Sequence, residues 1–302
     1  MKTFSVMVKR NVKMFFSDKG LFFSSMITPI ILLVLYATFL GNVFEDSFVS
    51  SLEKNFSDIM PFKGVISGIV GGQLLSSLLA VSCVTVSFCS NLIMVQDKYT
   101  GVRKDLLVSP VKKSTLALAY YAGTLMVTLI VTLSATLVGC LYIALDGGWY
   151  MSFGDVVLLV TDVILLTVFG TALSSIVNMF LSTQGQASAV GTIVSSGYGF
   201  LCGAYMPIES FPLGLRRFLS FLPGTYGTSL IKEHCLDGAF RECAKKGIPD
   251  EAIANMKKAI DCSFDFFGSD VTTFAKYAVV IGSIVLFIGI YVLLNALWKK
   301  RR

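Results

Sequence analysis

Six long apolar stretches, each bounded by polar segments, constrain this chain more than any other feature. They cover roughly residues 21–40, 64–95, 114–145, 156–181, 187–205 and 274–298. A helix crosses a bilayer core in about 20 mostly apolar residues, and these stretches have that length or more. The second and third exceed it and are expected to tilt or project. Only 15% of the 302 residues are charged, against about 25% in a soluble domain that must cover its surface. A water-soluble enzyme and a disordered chain are both excluded on these grounds. The pattern predicts an all-α polytopic membrane protein with six transmembrane helices.

The distribution of charge orients it. Lys and Arg in short loops stay on the cytoplasmic side. Lys2, Lys9, Arg10, Lys13 and Lys19 precede the first span, Lys98, Arg103, Lys104, Lys112 and Lys113 fill the loop at 96–113, and residues 299–302 are four consecutive basic residues. The loop at 42–63 carries four acids against two lysines, and 146–155 has no Lys or Arg. The net charge of +6 therefore hides an asymmetry. The cytoplasmic side holds 14 basic residues against Asp18, Asp97 and Asp105, and the rest of the chain is net acidic. The reading is a multi-pass plasma-membrane protein with both termini cytoplasmic and no nucleic-acid partner.

Residues 1–19 read as an interfacial helix rather than a signal peptide. Phe4, Met7, Val8, Met14 and Phe15 share one side, with the basic residues mostly opposite.

Groups for chemistry are few. The single histidine, His234, falls in the long outer loop and reads as an ordinary exposed residue. Asp162 is the one acid well inside a span, a functional candidate by default. It follows Asp155 by seven residues, so both can share one face near the outer end and reach water. No metal site is expected, and no Gly-Lys pair exists to build a phosphate loop.

Two spans carry small residues at every fourth position. Gly64, Gly68, Gly72, Ser76 and Ala80 recur in the second, and Ala187, Gly191, Ser195, Gly199 and Gly203 in the fifth. This spacing lets helix backbones approach closely, within one chain or between chains.

The loop Asp97-Lys98-Tyr99-Thr100-Gly101-Val102-Arg103-Lys104-Asp105-Leu106-Leu107-Val108-Ser109-Pro110 places leucines among charges, the pattern of a short docking helix that Pro110 ends. Here the chain resembles the permease subunits of type-two ABC exporters. Their first cytoplasmic loop carries an acidic-basic pair, Gly-Thr, an acid and Leu-x-x-Ser-Pro, matched by Asp97-Lys98, Gly101-Val102, Asp105 and Leu106 to Pro110. Val102 replaces the usual Thr, and Lys104 stands where a Glu is common. The segments at 205–212 and 222–226 are similar to the family's short re-entrant outer helices at 206–232, and Pro207, Pro212 and Pro223 independently break the chain there. The resemblance implies a single transmembrane domain over 1–302 that works as a dimer, homo- or heteromeric. It binds no cofactor itself; ATP and Mg sit on a separate ATP-binding subunit docking at 96–113, and the small-residue stripes line or seal the path.

Residues 233–273 look like a small extracytoplasmic insertion. Cys235, Cys243 and Cys262 lie in it on the oxidising side, candidates for one disulfide with the three pairings open. Spans two and five carry few rings (Phe88, Tyr198, Phe200). That points to amphipathic, drug-, peptide- or lipid-like cargo rather than polysaccharide. The rival reading is an ion-coupled secondary transporter built on Asp162.

Overall fold

The computed structural model describes residues 2–43, 45–46, 63–108, 111–145 and 148–297. Helix α1 (Lys2–Ser17) meets α2 (Lys19–Leu35) at 72°. Asp18 makes the corner: its carboxylate accepts a hydrogen bond from the Leu21 amide at 3.1 Å and starts a new helix. A π-helical turn, Tyr36–Leu40, follows α2. Then come α3 (Lys63–Tyr99), α4 (Val102–Val108), α5 (Lys113–Leu145), α6 (Phe153–Phe180) and α7 (Gln184–Leu201). After a 3-10 turn at Ile208–Ser210 the chain continues through α8 (Leu213–Leu219), α9 (Pro223–Lys245) and α10 (Asp250–Ala259). A hairpin of β1 (Asp265–Phe266) and β2 (Ser269–Asp270) leads into α11 (Thr273–Leu297).

Among the described residues, four helices are long and apolar enough to cross a membrane, at Gly64–Tyr99, Lys113–Leu145, Phe153–Phe180 and Thr273–Asn295, or five if α1 and α2 form one bent span. The predicted fifth stretch is the helix α7. It carries Gln184, Gln186 and three serines and is not among these four. The core is built around α3. Its apolar window is 89% buried inside the chain, against 33% for α5, 50% for α6 and 22% for α11. The outer helices turn Ile27, Ile30 and Leu33 of α2 and Ile281, Val285 and Leu286 of α11 outward, the surface that lipid covers.

Polar groups knit the centre. Ser87 and Ser90 of α3 bond Thr128 of α5, Ser87 bonds Thr171 of α6, and the Asn91 amide donates to Ser174 and Ser175. Such bonds hold helices together where apolar packing alone has no water to escape from.

The two small-residue stripes behave differently. A Cβ on Gly64 or Gly68 would lie 2.8 Å from the Tyr150 hydroxyl or the Gly148 carbonyl, and one on Gly72 2.7 Å from Leu236. Ser76 is buried and donates to the Gln73 carbonyl at 3.0 Å. The α3 stripe therefore packs within the chain. On α7 the stripe divides: Gly199 lies against the Tyr205 ring, and Gly203 takes φ +75° beside Asp261. Gly191 has open space around it and Ser195 is only part-buried.

The region at 233–273 packs against the long helices. Helix α9 runs unbroken across residue 232, and Ile248, Ile253, Ile260 and Phe264 are buried in one apolar core with Leu79 and Val163 of the spans. Cys235, Cys243 and Cys262 are buried free thiols. The first two stand eight residues apart on α9, about 12 Å along its axis, beyond the reach of a disulfide.

Candidate functional site

Two clusters of charge occupy opposite ends of the bundle. At the basic end, α3 finishes on Asp97-Lys98. The Asp97 carboxylate is buried and accepts two bonds from the Arg10 guanidinium, at 2.7 and 2.9 Å, and one from the Tyr120 hydroxyl at 2.5 Å. The planar guanidinium fork fits a carboxylate bidentately, which is why an arginine serves here better than a lysine. Asn11, beside it, donates to the Ala119 carbonyl. Met7, Val8 and Phe15 of α1 are buried, giving the apolar side predicted for this helix, while Phe4 stays exposed. Asp97 thus joins α1, α3 and α5.

Lys98 turns the other way. Its Nζ donates to the carbonyls of Asn178, Met179 and Leu181 at 2.9, 2.7 and 2.8 Å. These carbonyls close the C-terminal end of α6, that of Asn178 also accepting from the capping Leu181 amide at 3.3 Å, and a cation there offsets the helix dipole. The acidic-basic pair of the loop is therefore turned inward, holding α1, α5 and α6 around the foot of α3.

Gly101 then reverses the chain at φ +89°, a left-handed conformation that L side chains resist. It releases α4, on which Lys104, Asp105, Leu107 and Val108 are exposed, Val108 at 88%, while Arg103 and Leu106 are part-buried. Ser109 and Pro110 lie outside the described residues. The surface offered outward is two apolar side chains beside one positive and one negative charge.

The second cluster overturns the reading of His234 as an exposed loop residue. His234 lies on α9, is buried, and places Nδ1 2.5 Å from the Asp162 carboxylate. The Tyr277 hydroxyl of α11 donates to the other Asp162 oxygen at 2.6 Å, with its ring stacked on the imidazole. Asp162 is buried rather than solvated. Burial pushes the His234 imidazole down, but the hydrogen bond and charge of Asp162 outweigh it and hold the group above its ordinary value. Alongside, Lys276 donates to Glu233 at 2.8 Å and to the Cys262 carbonyl at 2.6 Å. Lys232 bonds the Gly203 carbonyl at 2.7 Å.

A signal for this cluster was present in the spacing. Asp155 and Asp162 are seven apart on α6, and His234 and Arg241 are seven apart on α9. The structure pairs Asp155 with Arg241 and Asp162 with His234, so the two helices run antiparallel with two ion-paired rungs. The partners of Asp97 had no such signal. Arg10 and Tyr120 stand 87 and 23 residues away from it and carry no mark separating them from other basic or aromatic residues.

Among the described residues, no three His, Cys, Asp or Glu side chains gather as a metal site. Both clusters are ties between helices, and α4 exposes Leu107 and Val108 beside Lys104 and Asp105. No curated protein and no solved structure matches the chain. The model of one family, described as ABC-2 type transporter, matches residues 2–233, from α1 into the first half of α9. With most of its length matched and its apolar helices arranged around α3, the chain belongs to the ABC-2 type transporter family, as a multi-pass membrane permease.

Proposed function

We propose that this chain is the permease of an ATP-driven exporter that works as a dimer, with a separate ATP-binding subunit docking on each copy from the cytoplasm. In this reading the chain crosses the membrane six times, counting α1–α2 and α7 as crossings, and the basic end faces the cytoplasm. The observation that carries it is α4: a short helix beyond the end of the central span, exposing Leu107 and Val108 among charges. In this reading the two apolar side chains beside Lys104 and Asp105 meet the ATP-binding subunit. Motion applied at α4 reaches α3 through Gly101, and the Asp97 and Lys98 ties carry it into α1, α5 and α6.

The open face of α7 around Gly191 and Ser195 supports a role at the second permease or along the path. The α3 stripe seals the fold from inside. The path takes amphipathic cargo resembling drugs, peptides or lipids, since the exposed side of α7 is built of small residues with few rings. ATP and Mg belong to the partner.

Gly101→Pro forces φ from +89° to about −65° and breaks the joint. Together with charge reversal at Arg103 and Lys104, it is expected to leave membrane insertion intact while ATP hydrolysis no longer drives export in vesicles. Export at the parental rate by these variants would sink the docking assignment.

A further inference from the structure

The hairpin between α10 and α11 has a feature that its packing does not require. Strands β1 and β2 pair Phe266 with Ser269, leaving a two-residue turn of Phe267 and Gly268. Both turn residues are left-handed, at φ +50° and +89°, the type I′ pattern that favours Asn-Gly or Gly-Gly. A phenylalanine there costs about 1–2 kcal/mol relative to glycine. Burial of the ring does not recover that cost, because Phe267 is 57% exposed.

The inward work is done by another residue. Phe264 is buried with its ring 5.1 Å from Tyr226 of α9. Phe266 and Phe267 instead meet Phe221, which follows α8, at 5.3 and 5.8 Å. Phe221 is itself 63% exposed, and the Arg217 guanidinium sits 5.4 Å over the Phe267 ring.

We infer that this aromatic tip is a membrane anchor, seated at the boundary of headgroups and acyl chains in the leaflet at the insertion end. Three observations choose lipid over other occupants. The first is continuity. Four residues after the hairpin, Phe274 opens α11 at 83% exposure, and the outward Ile281 and Val285 continue along the same lipid-covered helix. The second is charge. Lys258 reaches Asp265 and Asp270 at 3.5 and 3.2 Å and offsets one of the hairpin's two negative charges, while Arg217 has no ion pair among the described residues. A free guanidinium beside exposed rings matches the phosphates of a bilayer surface. The third is the strained backbone, which fixes the ring outward at a turn that polar residues serve better. The anchor ties α8 and the hairpin to the same leaflet and limits how far α9 can shift relative to α11.

The test uses the full chain with Trp149→Phe and Trp298→Phe, so that Phe267→Trp is its only tryptophan, in vesicles of phosphatidylcholine and phosphatidylglycerol. Lipids brominated on the upper acyl chain are expected to reduce its emission about twofold, and acrylamide in the water only slightly. A red-shifted emission quenched by acrylamide overturns the anchor. So does an apolar emission untouched by either quencher, which would put a protein surface, such as a second copy, over the tip.

A second variant guards against misfolding. Phe267→Asn suits the turn, so the detergent-solubilised protein keeps or gains thermal stability, while Phe221→Trp in that background loses about half its bromolipid quenching. Lowered stability, or unchanged quenching at Phe221→Trp, would refute the proposal.

Discussion

Asp97→Asn removes one charge without changing the size of the side chain, and its effect can be worked from the geometry. Three donors converge on this carboxylate, two from Arg10 and one from Tyr120. An amide accepts on one oxygen only and turns its NH2 toward the remaining donors, so at least one is stranded. Removing one partner of a fully enclosed ion pair costs about 3–5 kcal/mol. The Arg10 side chain keeps 28% of its exposure, so water recovers part of its solvation and the expected loss falls to about 2 kcal/mol. That is about thirtyfold in the equilibrium by which α1 lifts from the bundle. Met7, Val8 and Phe15 still bury their apolar atoms, so α1 loosens rather than leaves. Hydrogen exchange in nanodiscs should show α1 amides exchanging about thirtyfold faster, with α9 unchanged. In the Asp97→Asn, Arg10→Gln double variant part of the loss should return, because no guanidinium is left unpaired. Unchanged protection of α1, or equal loss over the whole protein, would refute the role given to this ion pair.

Stability should depend on pH through His234. Its value is raised in the folded state, so the stabilisation is complete below the unfolded value of about 6.5 and is lost as pH rises through the folded one. Thermal midpoints in detergent should therefore decline on the alkaline side, and His234→Gln should flatten that part of the profile. Asp162→Asn separates the two transport readings: an ATP-driven permease keeps most of its export, whereas an ion-coupled carrier loses it. Gly68→Ala puts a methyl 2.8 Å from the Gly148 carbonyl and should destabilise by about 1–3 kcal/mol. Gly191→Ala meets nothing and should leave the thermal midpoint where it was.

The spans were legible because lipid imposes a demand that composition alone can meet. The long apolar runs of α3, α5, α6 and α11 announce themselves without any knowledge of tertiary contacts. The local devices were legible too. The α1 apolar side follows from helical spacing, and the short helix α4 from leucines set among charges. What escaped depended on partners brought together by the fold. Hydropathy assigns α9 to an outer loop because its mean character is neutral, yet Leu230, Ile231, Leu236 and Phe240 are all buried. Its buried His234 reads as a surface residue until Asp162 supplies its bond, and its buried Lys232 bonds the Gly203 carbonyl. The same limit applied to Asp97 and Lys98: their charges suggested contact with a partner, whereas burial and hydrogen bonding turned both inward.

The antiparallel rungs between α6 and α9 set an order of events during synthesis. Asp162 enters the translocation machinery 72 residues ahead of His234. At about 5–20 residues per second, roughly 4–14 s pass before its partner has been made. An aspartate inside a span costs about 2.5–3.5 kcal/mol on the insertion scale. During that interval α6 is held by its apolar residues alone, with Asp162 unpaired by His234. Asp162 gains its partner only when α9 folds back against α6. A ribosome pause or a truncation between residues 180 and 234 would catch the protein in this state, with α6 exposed to the quality-control proteases of the membrane.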